Sequence, residues 1–322
     1  METRPLPIQA HRRRAVVALG GNAITRSGEE GTVAQDYENL ERSLECVVDL
    51  YSAGYEVVLT HGNGPQIGNQ MIRVELARKE APDLPLDLLG ADIQGGLGYM
   101  IERVLRGKLR RRGLHPRVCC LLMMVEVNAD DPSLQNPTKF VGPFYPESRV
   151  TELTERGWNL KEDSGRGWRR VVPSPAPIGV VEWHEVDMLL AAGSIVITAG
   201  GGGIPVARTA NGDLAGVEAV IDKDLTSAVL ALSINAPELI ILTTVERVMV
   251  NYGKPDAQAL DKVSVKTARR YQSEGHFPPG SMGPKIEAAC RFIEAGGARV
   301  LITDEPHVAE ALRGTTGTWI TA

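Results

Sequence analysis

Three lysines stand where glycine or proline breaks the chain, in surroundings unusual for a surface cation. Lys223 lies between Asp222 and Asp224 in V-I-D-K-D-L, at the predicted start of a helix. Lys285 follows Pro284 in G-S-M-G-P-K-I-E-A-A, just inside another predicted helix, where the dipole disfavours a positive charge unless an anion shares the place. Lys139, in N-P-T-K-F-V-G-P-F, lies in a proline-rich stretch with no helical face to solvate it. Any one alone reads as a surface lysine, whereas the three together point to anion binding. Helix capping accounts for one of the two aspartates beside Lys223 as well as a site role does, and leaves the lysine unexplained.

Three apolar runs that end in glycine turns supply the rest of an anion site: A-V-V-A-L-G-G-N-A (15–23), V-V-L-T-H-G-N-G-P-Q (57–66) and S-I-V-I-T-A-G-G-G-G-I-P (194–205). Free N–H groups at such turns, aided by a following helix dipole, bind phosphate. The four-glycine run predicts that backbone closely approaches a ligand. No G-x-x-x-x-G-K-[ST] is present and residues 20–23 do not spell G-x-G-x-x-G, which argues against a P-loop enzyme and a nicotinamide dehydrogenase. His61 is a candidate base, but a structural imidazole at the turn is the favoured reading. No Ser, Cys or Thr has an adjacent base in sequence. The inventory suits phosphoryl transfer, which needs positioning and charge neutralisation more than covalent chemistry.

The elements that must carry these residues follow from periodicity. Leu40, Leu44, Val47, Val48 and Tyr51 predict a helix over 35–53 closed by Gly54. A strand at 56–60 then leads to a helix from Pro65 to Arg78. A helix over 91–112 ends in Arg106, Lys108, Arg110, Arg111 and Arg112, read as a solvated helix end rather than a nucleic-acid site. One apolar strand is predicted over 118–127. Seven of the 20 prolines and two of the four tryptophans then fall within 128–179, predicting a surface subdomain or lid with little regular structure. Beyond it come a helix over 183–192, a strand at 194–198, a hairpin around Asn211-Gly212, a helix over 225–234, strands at 239–245 and 299–303, and a helix over 284–295. Such alternation implies a mainly parallel sheet covered on both faces, with ligand beyond the carboxyl ends of its strands.

At 322 residues, 43% apolar and 23% charged, the chain can bury a large α/β core as one domain or two lobes. A net charge of −5 gives no broad basic footprint for nucleic acid. Cys46, Cys119, Cys120 and Cys290 form no C-x-x-C pair and read as core residues of a reduced compartment. The apolar runs are too short to span a bilayer. His11-Arg12-Arg13-Arg14 reads as a polar tail before the first strand, and a cytoplasmic location is expected.

The motifs V-V-A-L-G-G-N-A, H-G-N-G-P-Q, Q-N-P-T-K with G-P-F, K-E-D-S-G-R-G-W-R-R-V-V-P-S-P, A-G-G-G-G-I-P-V, G-V-E-A-V-I-D-K-D and P-G-S-M-G-P-K-I-E-A-A resemble carbamate kinase, of the amino-acid kinase fold. The resemblance runs from about residue 15 to the end, and the motif around 163–175 separates it from acetylglutamate, aspartate and uridylate kinases. It implies a three-layer α/β/α sandwich with an open, mainly parallel sheet and a small protruding subdomain. By the same resemblance, a polar tail (1–13) precedes one kinase domain (14–322), whose acceptor lobe (14–215) contains a lid (128–180) and whose nucleotide lobe is 216–322. The implied reaction is reversible transfer between ATP and carbamate, giving ADP and carbamoyl phosphate, used to make ATP. Mg²⁺ would be held mainly by the nucleotide phosphates with no dedicated protein ligands. A homodimer is expected, with small-molecule substrates and neither nucleic acid nor membrane as partner.

The resemblance places Gly20, Gly21 and Asn22 on the transferred phosphate and Gly62, Asn63 and Gly64 beside carbamate or carbamoyl phosphate. Lys139 would reach in from the insertion, Lys223 and Lys285 would neutralise the phosphoryl group, and Asp224 would hold the lysines. Thr243, Val245, Tyr252 and Met282 would border the nucleotide. The sequence departs from the family pattern at Phe140, where proline is usual, and in its polar tail. Two rival readings are an amino-acid kinase with another carboxylate acceptor and a nucleotide-binding regulator without turnover.

Overall fold

The computed structural model describes residues 13–26, 28–163, 165–278 and 280–322. Most of the predicted tail lies outside these, and Arg13 already belongs to the first strand. From there β1 (Arg13–Leu19) leads through a glycine turn to α1 (Val33–Ser43), α2 (Glu45–Ser52), β2 (Tyr55–His61), α3 (Gly64–Ala77) and α4 (Leu86–Arg111). Next come β3 (Arg117–Cys120), β4 (Met124–Val127), β5 (Lys139–Tyr145), α5 (Val150–Glu155), β6 (Leu160–Glu162), β7 (Trp168–Val172) and β8 (Pro177–Val180). The chain continues with α6 (Trp183–Ala191), β9 (Ser194–Ile197), β10 (Ile204–Arg208), β11 (Leu214–Gly216), α7 (Lys223–Ser233) and β12 (Glu238–Leu242). It ends with β13 (Met249–Val250), β14 (Gln258–Ala259), β15 (Lys262–Ser264), α8 (Val265–Ser273), α9 (Met282–Glu294), β16 (Arg299–Thr303), α10 (Val308–Leu312) and β17 (Thr318–Thr321).

Eight strands form one sheet in the order β15-β17-β16-β12-β1-β2-β9-β3, parallel throughout except between β16 and β17. Its central strand reads as a continuous apolar run because both faces are covered. Alternate residues point to opposite faces: Ala15, Val17 and Leu19 enter one core with Leu40, Val47, Ile101 and Leu105, whereas Val16 and Ala18 enter the other with Leu190, Leu230, Ala289 and Phe292. Helices α1, α2 and α4 therefore lie on one side, and α6, α7 and α9 on the other. Among the described residues no helix is long and apolar enough to cross a membrane.

Two expectations need correction. The apolar run at 118–127 is two strands in different sheets: β3 edges the main sheet, while β4 joins β11-β10-β4-β8. The break between them is held from afar by buried Gln94, which accepts from the Met123 N–H at 3.1 Å and donates to the Met123 carbonyl at 3.2 Å. Nor is the insertion poor in regular structure. It contains the antiparallel sheet β5-β7-β6 and helix α5, buries Val141, Leu153, Val171 and Val172, and lends β8 to the second sheet. Its base is fastened to α3, where Glu75 accepts from Arg156 at 2.8 Å and from Arg149 at 3.4 Å.

Candidate active site at the carboxyl edge of the sheet

Strands β1, β2 and β9 are neighbours running the same way, so their glycine turns converge. Gly62 donates its N–H to the Leu19 carbonyl, and a Cβ on Gly62 would lie 2.8 Å from the Gly21 nitrogen. The first two turns thus stack backbone on backbone. The four-glycine run supports them from behind: a Cβ would come 2.4 Å from His61 at Gly200, 2.2 Å from Asn63 at Gly201 and 2.3 Å from the Ile221 carbonyl at Gly202. Gly201, Gly202 and Gly203 also have φ of +68°, +98° and +88°, a region that side chains disfavour. The close approach expected of this run is mostly to protein. Only Gly201 of the four lines the cleft beyond the turns.

That cleft, of about 600 Å³, is in the range of small-ligand sites. Its walls include the turns at Gly20, Gly21 and Asn22 and at Gly62, Asn63 and Gly64, together with Lys139, Lys223, Asp224 and Lys285. Thr243, Val245, Tyr252 and Met282 line it as well. The two glycine turns, the three lysines, Asp224 and the nucleotide-side residues expected from the sequence therefore border one space.

At its centre, Asp224 is 3% exposed and accepts from Lys223 Nζ through Oδ1 at 2.6 Å and from Lys285 Nζ through Oδ2 at 2.9 Å. Burial alone would raise this carboxyl, but the two ammonium groups outweigh it and hold the pKa at about 2. Burial in turn lowers Lys223, with Asp224 opposing and Lys285 adding to the shift. The cation near the N-terminus of α9 thus has a protein anion beside it. Asp222 is the helix cap, its Oδ1 accepting from the N–H groups of Asp224 and Leu225 at 2.9 and 3.3 Å. Lys139 reaches across from β5, donating to the Ile221 carbonyl at 3.3 Å and lying 3.7 Å from Asp222 Oδ2.

His61 is buried beneath the turns and does not line the cleft. Its Nδ1 is 3.0 Å from the Gly62 carbonyl, and burial lowers its pKa to about 4. These facts describe a neutral structural imidazole. Phe140, noted in the sequence only as a departure from the family pattern, and Arg247, within the 243–252 stretch expected beside the nucleotide, also line the cleft, as do Arg169 and Glu305, to which the sequence reading gave no role. Arg169 lay within a quoted motif without a role. Its guanidinium donates to Asp163 at 3.0 Å and to the Gly142 carbonyl at 3.1 Å, and sits over the Phe140 ring, 5.6 Å from its centroid.

Comparisons with known proteins agree with this architecture. The model of the amino acid kinase family matches residues 13–304. Carbamate kinase of Thermococcus kodakarensis is 48% identical over 96% of this chain and 99% of its own length. The carbamate kinase-like protein YahI of Escherichia coli is 46% identical over 95% and 98%. The structure of Giardia lamblia carbamate kinase bound to AMP-PNP superposes with a TM-score of 0.91 at 38% identity, covering 96% of this chain and 98% of that one. With a match that spans both cores, the cleft and the insertion, the chain belongs to the amino acid kinase family, within its carbamate kinase branch.

Proposed function

We propose that the chain is an ATP:carbamate phosphotransferase, interconverting ATP and carbamate with ADP and carbamoyl phosphate and working toward ATP. The observation that carries this reading is the Lys223–Asp224–Lys285 cluster facing two stacked glycine turns in a cleft that the insertion's Lys139 also enters. In the ATP-forming direction, an oxygen of the ADP β-phosphate attacks the phosphorus of carbamoyl phosphate. The bond from phosphorus to the carbamoyl oxygen breaks, and carbamate leaves with its electron pair. No protein nucleophile or proton donor is required, in keeping with the neutral, buried His61.

Lys223 and Lys285 neutralise the transferred group, and Asp224 fixes both ammonium groups. The N–H groups around Gly20, Gly21 and Asn22 receive phosphate oxygens, while Gly62, Asn63 and Gly64 border the carbamate. Thr243, Val245, Tyr252 and Met282 border the nucleotide. Residues 14–215 thus supply the acceptor side, with the insertion as a lid, and 216–322 supply the nucleotide side. Mg²⁺, held mainly by the nucleotide phosphates, adds charge neutralisation when bound.

A homodimer is part of the proposal. On α4, Leu88 and Tyr99 are exposed, as is Leu122 just beyond β3. Glu102 accepts from the Cys120 N–H and Arg106 donates to the Val118 carbonyl, so β3 would meet a second copy through side chains rather than by adding a strand. Light scattering after size exclusion tests this. The activity is tested by a coupled assay for ATP formed from ADP and carbamoyl phosphate. Because relatives of similar identity include carbamate kinase-like proteins, the assay also runs with a panel of small acyl phosphates. Turnover with carbamoyl phosphate far above the rest is expected, and none with it would overturn the proposal.

A further inference from the structure

Of the carboxylates that line the cleft, Asp222 caps α7 and faces Lys139, and Asp224 carries two lysines. Glu305 is different. It lines the same cleft two residues beyond β16, and among the described residues no ion pair and no other side chain holds its carboxylate, which accepts from its own backbone N–H. Its neighbour Asp304 is engaged with His307, Nδ1 to Oδ1 at 2.6 Å, and does not line the cleft. Arg26 and Lys223 attract Glu305 without hydrogen-bonding it.

The sheet register fixes where Glu305 stands. Leu242 of β12 is opposite Thr303 of β16, and the Thr243 N–H donates to the Thr303 carbonyl at 2.9 Å. Ala18 of β1 is opposite Ile241. The carboxylate therefore joins the cleft wall where the first glycine turn and the 243–244 segment leave adjacent strands, all of them lining residues. A lone negative charge there would repel the phosphates that the turns and lysines attract. It becomes favourable when a cation arrives with the phosphates. Mg²⁺ bound with nucleotides commonly takes one or two carboxylates besides phosphate oxygens and water.

We propose that Glu305 is the protein ligand, direct or through one water, of the divalent cation that accompanies the nucleotide. This rests on the phosphotransferase reading and adds a protein contribution to a metal otherwise assigned to the phosphates. Burial raises the Glu305 pKa above its ordinary value, and its own backbone N–H, Arg26 and Lys223 oppose that shift without cancelling it.

The test measures ADP affinity by calorimetry on the full chain, in EDTA and with Mn²⁺, alongside bound Mn²⁺ by electron paramagnetic resonance. In the native chain Mn²⁺ should tighten ADP binding. In Glu305→Gln that enhancement should fall about tenfold, the lower end for losing a group that supports a metal site. Metal-free ADP should bind as well or better, because a like charge has gone. Should the glutamine variant not melt like the native chain, Glu305→Ser is read the same way. An undiminished Mn²⁺ enhancement in a folded variant overturns the Glu305 assignment alone. Absence of ADP binding by the native chain overturns the phosphotransferase reading and this inference with it.

Discussion

Replacing Asp224 by asparagine keeps the side chain's shape and removes the one charge that two lysines share. Asparagine offers a single acceptor oxygen, so either Lys223 or Lys285 keeps a hydrogen bond to a neutral acceptor while the other faces an NH₂ group. Removing one partner of a buried ion pair costs about 3–5 kcal/mol. The retained oxygen and the opening of the lysines to the cleft bring the expected loss nearer 2–3 kcal/mol. The carboxyl's own pKa gives a similar figure, since the fall from 3.8 to about 2 corresponds to roughly 2 kcal/mol. Because this pKa is depressed in the folded state, its contribution is fully present above 3.8 and is lost as pH falls through about 2. The variant should lack that acid limb.

Turnover should suffer more than folding. Two cations that repel each other lose their common anchor, and misplacing even one preorganised contact to a transferred group costs about 10² to 10³ in kcat. The assays are urea unfolding at neutral and acid pH, the coupled ATP assay, and calorimetry with ADP. ADP affinity should change little beside kcat. Asp222→Asn is the control, because asparagine caps a helix nearly as well as aspartate. A near-normal kcat in Asp224→Asn, or equal losses in the two variants seen only as lowered stability, would refute the anchoring argument.

Lys285→Ala should lower kcat by about 10² to 10³ while the chain still folds, with some loss of stability because Asp224 keeps only Lys223; a near-normal kcat with an unchanged melting curve returns it to the class of surface lysines. Lys139→Ala should weaken use of carbamoyl phosphate strongly while calorimetry shows ADP affinity almost unchanged, and a parallel fall in both would place Lys139 with the nucleotide or the fold. Gly202→Ala, with φ of +98° and a Cβ 2.3 Å from the Ile221 carbonyl, should cost about 2–3 kcal/mol in urea unfolding; unchanged stability would mean that the 221–223 segment yields freely. His61, with a pKa lowered to about 4, contributes stability that is full above 6.5 and falls as pH drops toward 4. His61→Gln should flatten that part of the stability profile, and an unaltered slope would assign it to another group.

The sequence was most legible where one element's apolar character answers to its own burial. β16 begins and ends at the expected residues because alternate positions enter the two cores, and α9 and α6 differ from expectation by only one or two residues. Legibility failed where a distant group makes the decision. Nothing within 118–127 marks the passage from one sheet to another, since Gln94, 29 residues earlier, holds the break. The insertion hid its strands because Gly142, with φ of +74°, and Pro143 interrupt the alternation of β5 where it bulges. Short pieces such as β15, α10 and β17 carry too few residues for a period to show.

The site divides along the same physical line. Glycine turns announce themselves, because backbone that must stack on backbone tolerates no side chain, and Gly62 against Gly21 is such a contact. Lys139 and Lys285 stood out because their local sequence does not satisfy an ammonium group, and Lys223 because it stands between two carboxylates at a helix start. Arg169 and Glu305 carry no comparable sign: each is one charged residue whose place in the cleft is set by strand register. The four glycines at 200–203 show how a correct signal can have a different cause. Close approach was required there, but the partners are His61, Asn63, Val125 and Ile221, so the run shapes the site by holding the second turn and the Asp222 cap in contact. A substitution there would reach the chemistry through displaced backbone, without removing any group that touches phosphate.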